Sequence, residues 1–189
     1  MSSHHVVREK QEPALLVLGL NTFSDELLGQ LLEWSPTVIA TPETAEQLHA
    51  FGIKIDWLIT DNADVDLQSD VELMPAGADD MAVAALKFLV MHGYPAVNII
   101  TDEVQLKDFM FFADKINLVI LHDKERIYAV QSGFSKWKPA GQLIRLLSHP
   151  GELHTSGLEA IGGGSFKTIH DGFISLQFDL PQLFIAEEL

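Results

Sequence analysis

Cysteine is missing from all 189 residues, which removes disulfides and thiol catalysis and agrees with a reducing compartment. Cations are scarce: 12 Lys and Arg stand against 27 Asp and Glu, a formal charge of −15. A surface of that sign repels a phosphate backbone, so nucleic acid is not expected as a partner. No apolar run approaches the roughly 18 residues that a membrane helix needs. The stretch Met1-Ser2-Ser3-His4-His5-Val6-Val7-Arg8 lacks the apolar centre of a signal peptide. The eight histidines show neither i, i+4 spacing nor a His-x-Glu pair, so no zinc site is written into them. These absences lead us to expect a cytoplasmic protein without a membrane segment.

Apolar material, by contrast, is ample, at 47% of residues, enough for one core or two small ones. Residues 1–13 are polar, end at Pro13 and read as a poorly ordered lead-in. Ala14 to Leu20 is a continuous apolar run of strand length. Ser24-Asp25-Glu26 then opens a helix with Leu27, Leu28, Leu31 and Leu32 on one face. Thr37 to Ala40 is the next strand. Thr41-Pro42-Glu43 starts a second helix with an N-cap, a proline in the first helical position and an acid in the first turn. Trp57 to Thr60, Val71 to Met74, Ala96 to Ile100 and Asn117 to Leu121 are further strands. Met81 to His92 reads as a helix apolar on most sides and therefore buried. Thr101-Asp102-Glu103 reads as the cap of a last helix reaching about Ala113.

This alternation predicts an α/β part over 14–122 with a mainly parallel sheet. From 123 to 189 the pattern is that of a small all-β, sandwich-like part. There, Asp123-Lys124 and Asp171-Gly172 both read as hairpin turns, the second joining Phe166 to Ile169 with Phe173 to Phe178.

Candidate site residues follow from strand ends. In open α/β sheets, ligands gather where strands finish at their carboxyl ends. Trp57-Leu58-Ile59-Thr60 stops abruptly at Asp61, with Asp64 close behind, so both acids are candidates for a cleft; a solvated acidic loop is the alternative. Asp79 and Asp80 stand before a helix, where they either serve a site or simply favour the helix dipole. Trp137, between Lys136 and Lys138, offers a face for a cationic heterocycle or a packing surface. Gly162-Gly163-Gly164 permits close approach of a ligand or a plain turn.

The segment Gly52-Ile53-Lys54-Ile55-Asp56-Trp57-Leu58-Ile59-Thr60-Asp61-Asn62-Ala63-Asp64 resembles the G-I-x-P-D-x-I-I-G-D-F-D-S segment of the thiamine pyrophosphokinases. Asp56 and Asp61 match without a gap. Asp64 takes the last aspartate's place only with one inserted residue. The order of an α/β part before a β part extends the likeness over most of residues 14–189.

The resemblance implies transfer of diphosphate from ATP to thiamine, with Mg²⁺, in a homodimer that shares its active sites. Carried over by position, it puts Asp61, Asp64, Asp80 and Asp108 in catalytic places, the first three as metal ligands. Lys107, Ser165 and Trp137 become the candidates for holding cofactor and a thiamine-like small molecule. The family's A-D-G-G-A pattern falls on Thr41-Pro42-Glu43-Thr44-Ala45, so its acid and glycines are replaced. Its G-x-x-G-x-R-x-D-H loop falls on Thr101 to Phe109, keeping Asp108 and losing both glycines, the arginine and the histidine. Phosphoryl transfer needs cationic or backbone donors around the moving group. With those gone, the expectation is a thiamine pyrophosphokinase-like protein whose activity is weak or lost. The alternative is a noncatalytic homodimeric protein that binds a small ligand, or regulates, through the same cleft.

Overall fold

The computed structural model describes residues 12–62 and 70–189, which divide after Leu118 into two compact units. The first is α/β. It runs β1 (Ala14–Val17), α1 (Asp25–Leu32), β2 (Val38–Ala40), α2 (Pro42–Ala50), β3 (Trp57–Ile59), β4 (Glu72–Met74), α3 (Met81–Met91), β5 (Ala96–Ile100) and α4 (Leu106–Met110). Its strands lie in the order β5-β1-β2-β3-β4, and each of these pairings is parallel. Every residue of the interior strand β1 is buried, which accounts for its unbroken apolar sequence: a parallel strand covered on both faces has no polar side to show. Leu16 sits between Ile39 and Ile99, all three with no exposed surface.

Helix starts follow local chemistry in one case and depart from it in another. At α2, Thr41 Oγ1 accepts from Thr44 N (3.3 Å) and Thr44 Oγ1 accepts from Thr41 N (3.0 Å), a reciprocal cap with Pro42 in the first turn. The helix expected to begin at Thr101-Asp102-Glu103 starts instead at Leu106 and ends at Met110. Thr101 closes a turn, its hydroxyl donating to Glu103 O (2.8 Å), and the Asp102 side chain is engaged elsewhere. Helix α3 was expected to be buried on most sides. It buries Ala84, Ala85, Leu86 and Leu89 and leaves Met91 82% exposed, so its apolar sequence is wider than its covered face.

The division between the units falls inside β6 (Asn117–His122). The second unit continues through β7 (Glu125–Val130), β8 (Phe134–Lys138), β9 (Leu143–Leu146), β10 (Leu153–Ser156), β11 (Leu158–Gly162), β12 (Ser165–Thr168), β13 (Gly172–Phe178) and β14 (Leu183–Glu188). One group of its strands is ordered β11-β12-β9-β14-β7-β6 and a separate sheet is ordered β10-β13-β8, with antiparallel pairing throughout. Side chains from both groups, among them Val130, Ile144, Ile174, Leu176 and Ile185, form one buried apolar cluster.

Asp123 takes positive φ (52°) in the β6–β7 hairpin, as the sequence suggested. Asp171-Gly172 makes no hairpin. β12 pairs with β9 and β11, and β13 pairs with β8 and β10, so the chain crosses between sheets there. Bonds to other segments hold that crossing: Asp171 Oδ1 accepts from Ala140 N (2.7 Å), Thr168 Oγ1 donates to Pro139 O (2.7 Å) and Ile169 N donates to Gly157 O (3.1 Å). Three contacts distant in sequence thus override a two-residue turn signal.

Candidate functional site

Parallel pairing sends the carboxyl ends of β1 to β5 to a single edge of the first unit's sheet, the edge where α/β proteins collect ligands. After β5 comes Asp102. Its carboxylate accepts from Asn21 N (3.0 Å), Asn21 Nδ2 (2.8 Å) and Thr22 N (3.4 Å), all in the loop that follows β1. Gly19 makes this possible. A Cβ there would collide with the Asp102 carboxylate and stand 2.7 Å from the Asp102 backbone nitrogen. The amides of the β1 loop are thus turned onto an anion that the chain itself supplies.

At the end of β2 the N-terminus of α2 is equally closed. Thr41 and Thr44 are 3% exposed, and Thr44 Oγ1 donates to Val17 O (2.8 Å), so the hydroxyls there serve the fold. After β3, Asp61 is exposed and its Oδ1 accepts from Gly77 N (2.9 Å), which ties it to the loop leading into α3. Asp80 is the N-cap residue of α3 but makes no side-chain cap bond, and the neighbouring Asp79 pairs with Lys87 (2.7 Å). Asp56, which also matched the motif, sits at the opposite, amino end of β3 and accepts from Val38 N (2.8 Å), a bond that fastens two strands.

Asp108 is half-buried and Lys107 exposed on the five-residue helix α4. Asp64 lies outside the described residues. Among the described residues no group of three His, Asp or Glu side chains is placed to hold a metal ion. The acid of the A-D-G-G-A pattern is replaced by Pro42 within a closed threonine cap, and Asp102 is committed to the β1 loop.

In the second unit, Ser165 lines a groove of ≈ 270 Å³ together with Lys124, Leu143, Arg145 and Ile161. Trp137 is 54% exposed and lies directly across the strand pair from Phe173, 69% exposed. Alternation along β8 turns Trp137 away from its two lysines: Lys138 is buried and Lys136 half-buried.

Those lysines meet a buried acid that sequence reasoning did not single out. The Glu187 side chain is 1% exposed, and its Oε2 takes Arg126 NH2 (3.0 Å), Lys138 Nζ (2.8 Å) and Lys136 Nζ (3.3 Å). Tyr128 OH donates to Oε1 (2.7 Å). Burial pushes the Glu187 carboxyl up, but hydrogen bonds from Lys138 and Tyr128 and the lysine charges pull it down further, to below the ordinary carboxylate value. Burial, then the bond to Glu187, raise the Tyr128 hydroxyl far above its usual value.

No protein-family model and no curated protein matches the chain by sequence. Solved structures do match. The chain is similar to thiamine pyrophosphokinase from Bacillus subtilis at a TM-score of 0.68 and 13% identity, over 94% of this chain and 99% of that one. The fold is that of the thiamine pyrophosphokinases. The yeast enzyme gives a TM-score of 0.66 at 11% identity over 96% of this chain and 87% of its own. For the Candida albicans enzyme the score is 0.64 at 10% identity, over 94% and 89%. Among the described residues, no helix is long and apolar enough to cross a membrane.

Proposed function

We infer that this is a thiamine pyrophosphokinase-like protein in which the family reaction, diphosphate transfer from ATP to thiamine with Mg²⁺, is weak or lost. One observation carries the reading: the Asp102 carboxylate accepts from Asn21 N, Asn21 Nδ2 and Thr22 N at the strand-end edge. A nucleotide phosphate approaching the β1 loop meets a fixed negative charge in place of available donors. Removing one preorganised donor typically costs about 3 kcal/mol in a transition state, and here several are missing together. An assay for AMP and thiamine diphosphate, run beside Asp61→Asn, tests it. Product near background in both proteins is expected. Robust turnover that disappears in the variant would overturn the reading.

The second reading is a noncatalytic homodimer that binds a small ligand, or regulates, through the same cleft. It is favoured by the exposed Trp137–Phe173 pair, an apolar surface of the kind that another subunit covers. Light scattering is expected to give twice the 20.9 kDa chain mass; a monomer at every concentration sinks the homodimer.

A further inference from the structure

The cluster around Glu187 holds more positive charge than its acid needs. Arg126, Lys136 and Lys138 bring three cations to one carboxylate, which leaves a surplus of two in a chain whose formal charge is −15. Lys138 alone, 4% exposed and 2.8 Å from Oε2, is enough to pair Glu187. The other two reach outward, with side chains 39% exposed at Arg126 and 38% at Lys136.

Their donors are only partly used. Arg126 turns Nε and NH2 to Glu187, which leaves the NH1 edge without an acceptor among the described residues. Lys136 spends two of its hydrogens, on Tyr128 OH and Glu187 Oε2, both at 3.3 Å. The pair is therefore fixed from behind and open in front.

We propose that Arg126 and Lys136 form an oxyanion site at the charged end of the second unit's core, taking the phosphate group of a small phosphorylated molecule or free phosphate. A dianion matches the surplus of two. Arg supplies a planar edge with paired N–H groups and Lys a point charge, the two donor types that phosphate takes in charge-assisted bonds. Glu187, Tyr128 and Lys138 are positioning residues that hold those donors still. The charge state agrees: burial lowers the Lys136 ammonium below its ordinary value, and the Lys138 and Arg126 charges add to this against the pull of Glu187. An anion arriving in front relieves that repulsion. The site uses no residue of the first unit and does not depend on nucleotide chemistry there.

The test is a titration of the full chain with inorganic phosphate, and separately with glycerol phosphate as a simple monoester, at about pH 7.5, where a phosphate monoester is largely dianionic. Sodium chloride at matched ionic strength is the control. The readout is ¹H–¹⁵N shifts of the Arg126 side chain and of the amides at 126, 136, 138 and 187. Saturable shifts in the millimolar range, concentrated at these positions and absent with chloride, are expected. Lys136→Met and Arg126→Gln should each weaken binding about tenfold, and both leave Lys138 to pair Glu187. Shifts confined to other positions, no shift beyond the chloride control, or unchanged affinity in both variants would overturn the site. Should a variant not fold, the map on the unmodified protein still decides.

Discussion

Asp102 in the first unit and Glu187 in the second are both carboxylates held by several donors at once, yet the donors differ in kind. Asp102 takes neutral amides from an exposed loop. Glu187 takes three charged side chains from two strands, β7 and β8, and is itself out of solvent. The first arrangement uses up donors that an incoming anion would need. The second gathers more cations than its acid can neutralise. The same functional group therefore occupies neutral donors in one region and leaves the other with donors to spare, and the difference lies in whether the partner is a dipole or a full charge. In the closed region the cost of losing the acid is small, because water reaches the freed amides. In the charged region the cost is large, because the buried Lys138 loses its counter-ion.

The largest expected effect breaks the charged region. Glu187→Ala leaves Lys138 buried without its partner, and removal of one member of a buried ion pair typically costs about 3–5 kcal/mol, to be read from urea unfolding. The more conservative Glu187→Gln sharpens the same point through pH. The folded carboxyl lies below its ordinary value, so its contribution is complete above the unfolded value of about 4.3 and is lost as pH falls through the lower folded value. Unfolding free energy of the unmodified protein should therefore drop more steeply than that of Glu187→Gln below about pH 4. Parallel curves would mean that the glutamate is not held as described.

A smaller effect is expected where the β1 loop meets Asp102. Gly19→Ala forces a methyl against the Asp102 carboxylate and its backbone nitrogen, and overpacking of this kind costs about 1–3 kcal/mol. Adding Asp102→Ala should recover part of the loss and no more, since the clash with the backbone remains. Full additivity of the two changes would separate Gly19 from Asp102 and undo the account of the closed loop.

The strands of the first unit were legible because burial there is nearly continuous: β1 and β2 are apolar for their whole length and β5 for all but Asn98, and Thr41-Pro42 caps α2 by its own local chemistry. The fold family was legible from Asp56 and Asp61 within one short segment together with the order of the two parts. What failed were signals that compete with distant bonds. Asp171-Gly172 reads as a hairpin until Ala140 and Pro139 hold that chain elsewhere. Thr101-Asp102-Glu103 reads as a helix cap until Asp102 reaches a loop 81 residues away. For the same reason, no local pattern marks Asp102.

The Glu187 cluster left one usable trace. Alternation along Phe134-Ser135-Lys136-Trp137-Lys138 puts both lysines on the same side as the buried-facing Phe134, which requires an anion within the core.

The central claim, that the chain's own carboxylate holds the donors after β1, is tested most directly by titrating Mg·ATP while following the backbone amides of Asn21 and Thr22 by NMR. The account predicts that these two resonances stay in place as nucleotide is raised to millimolar concentration, with or without thiamine. Saturable shifts at Asn21 and Thr22 would show that a phosphate takes the place of Asp102 and would contradict it.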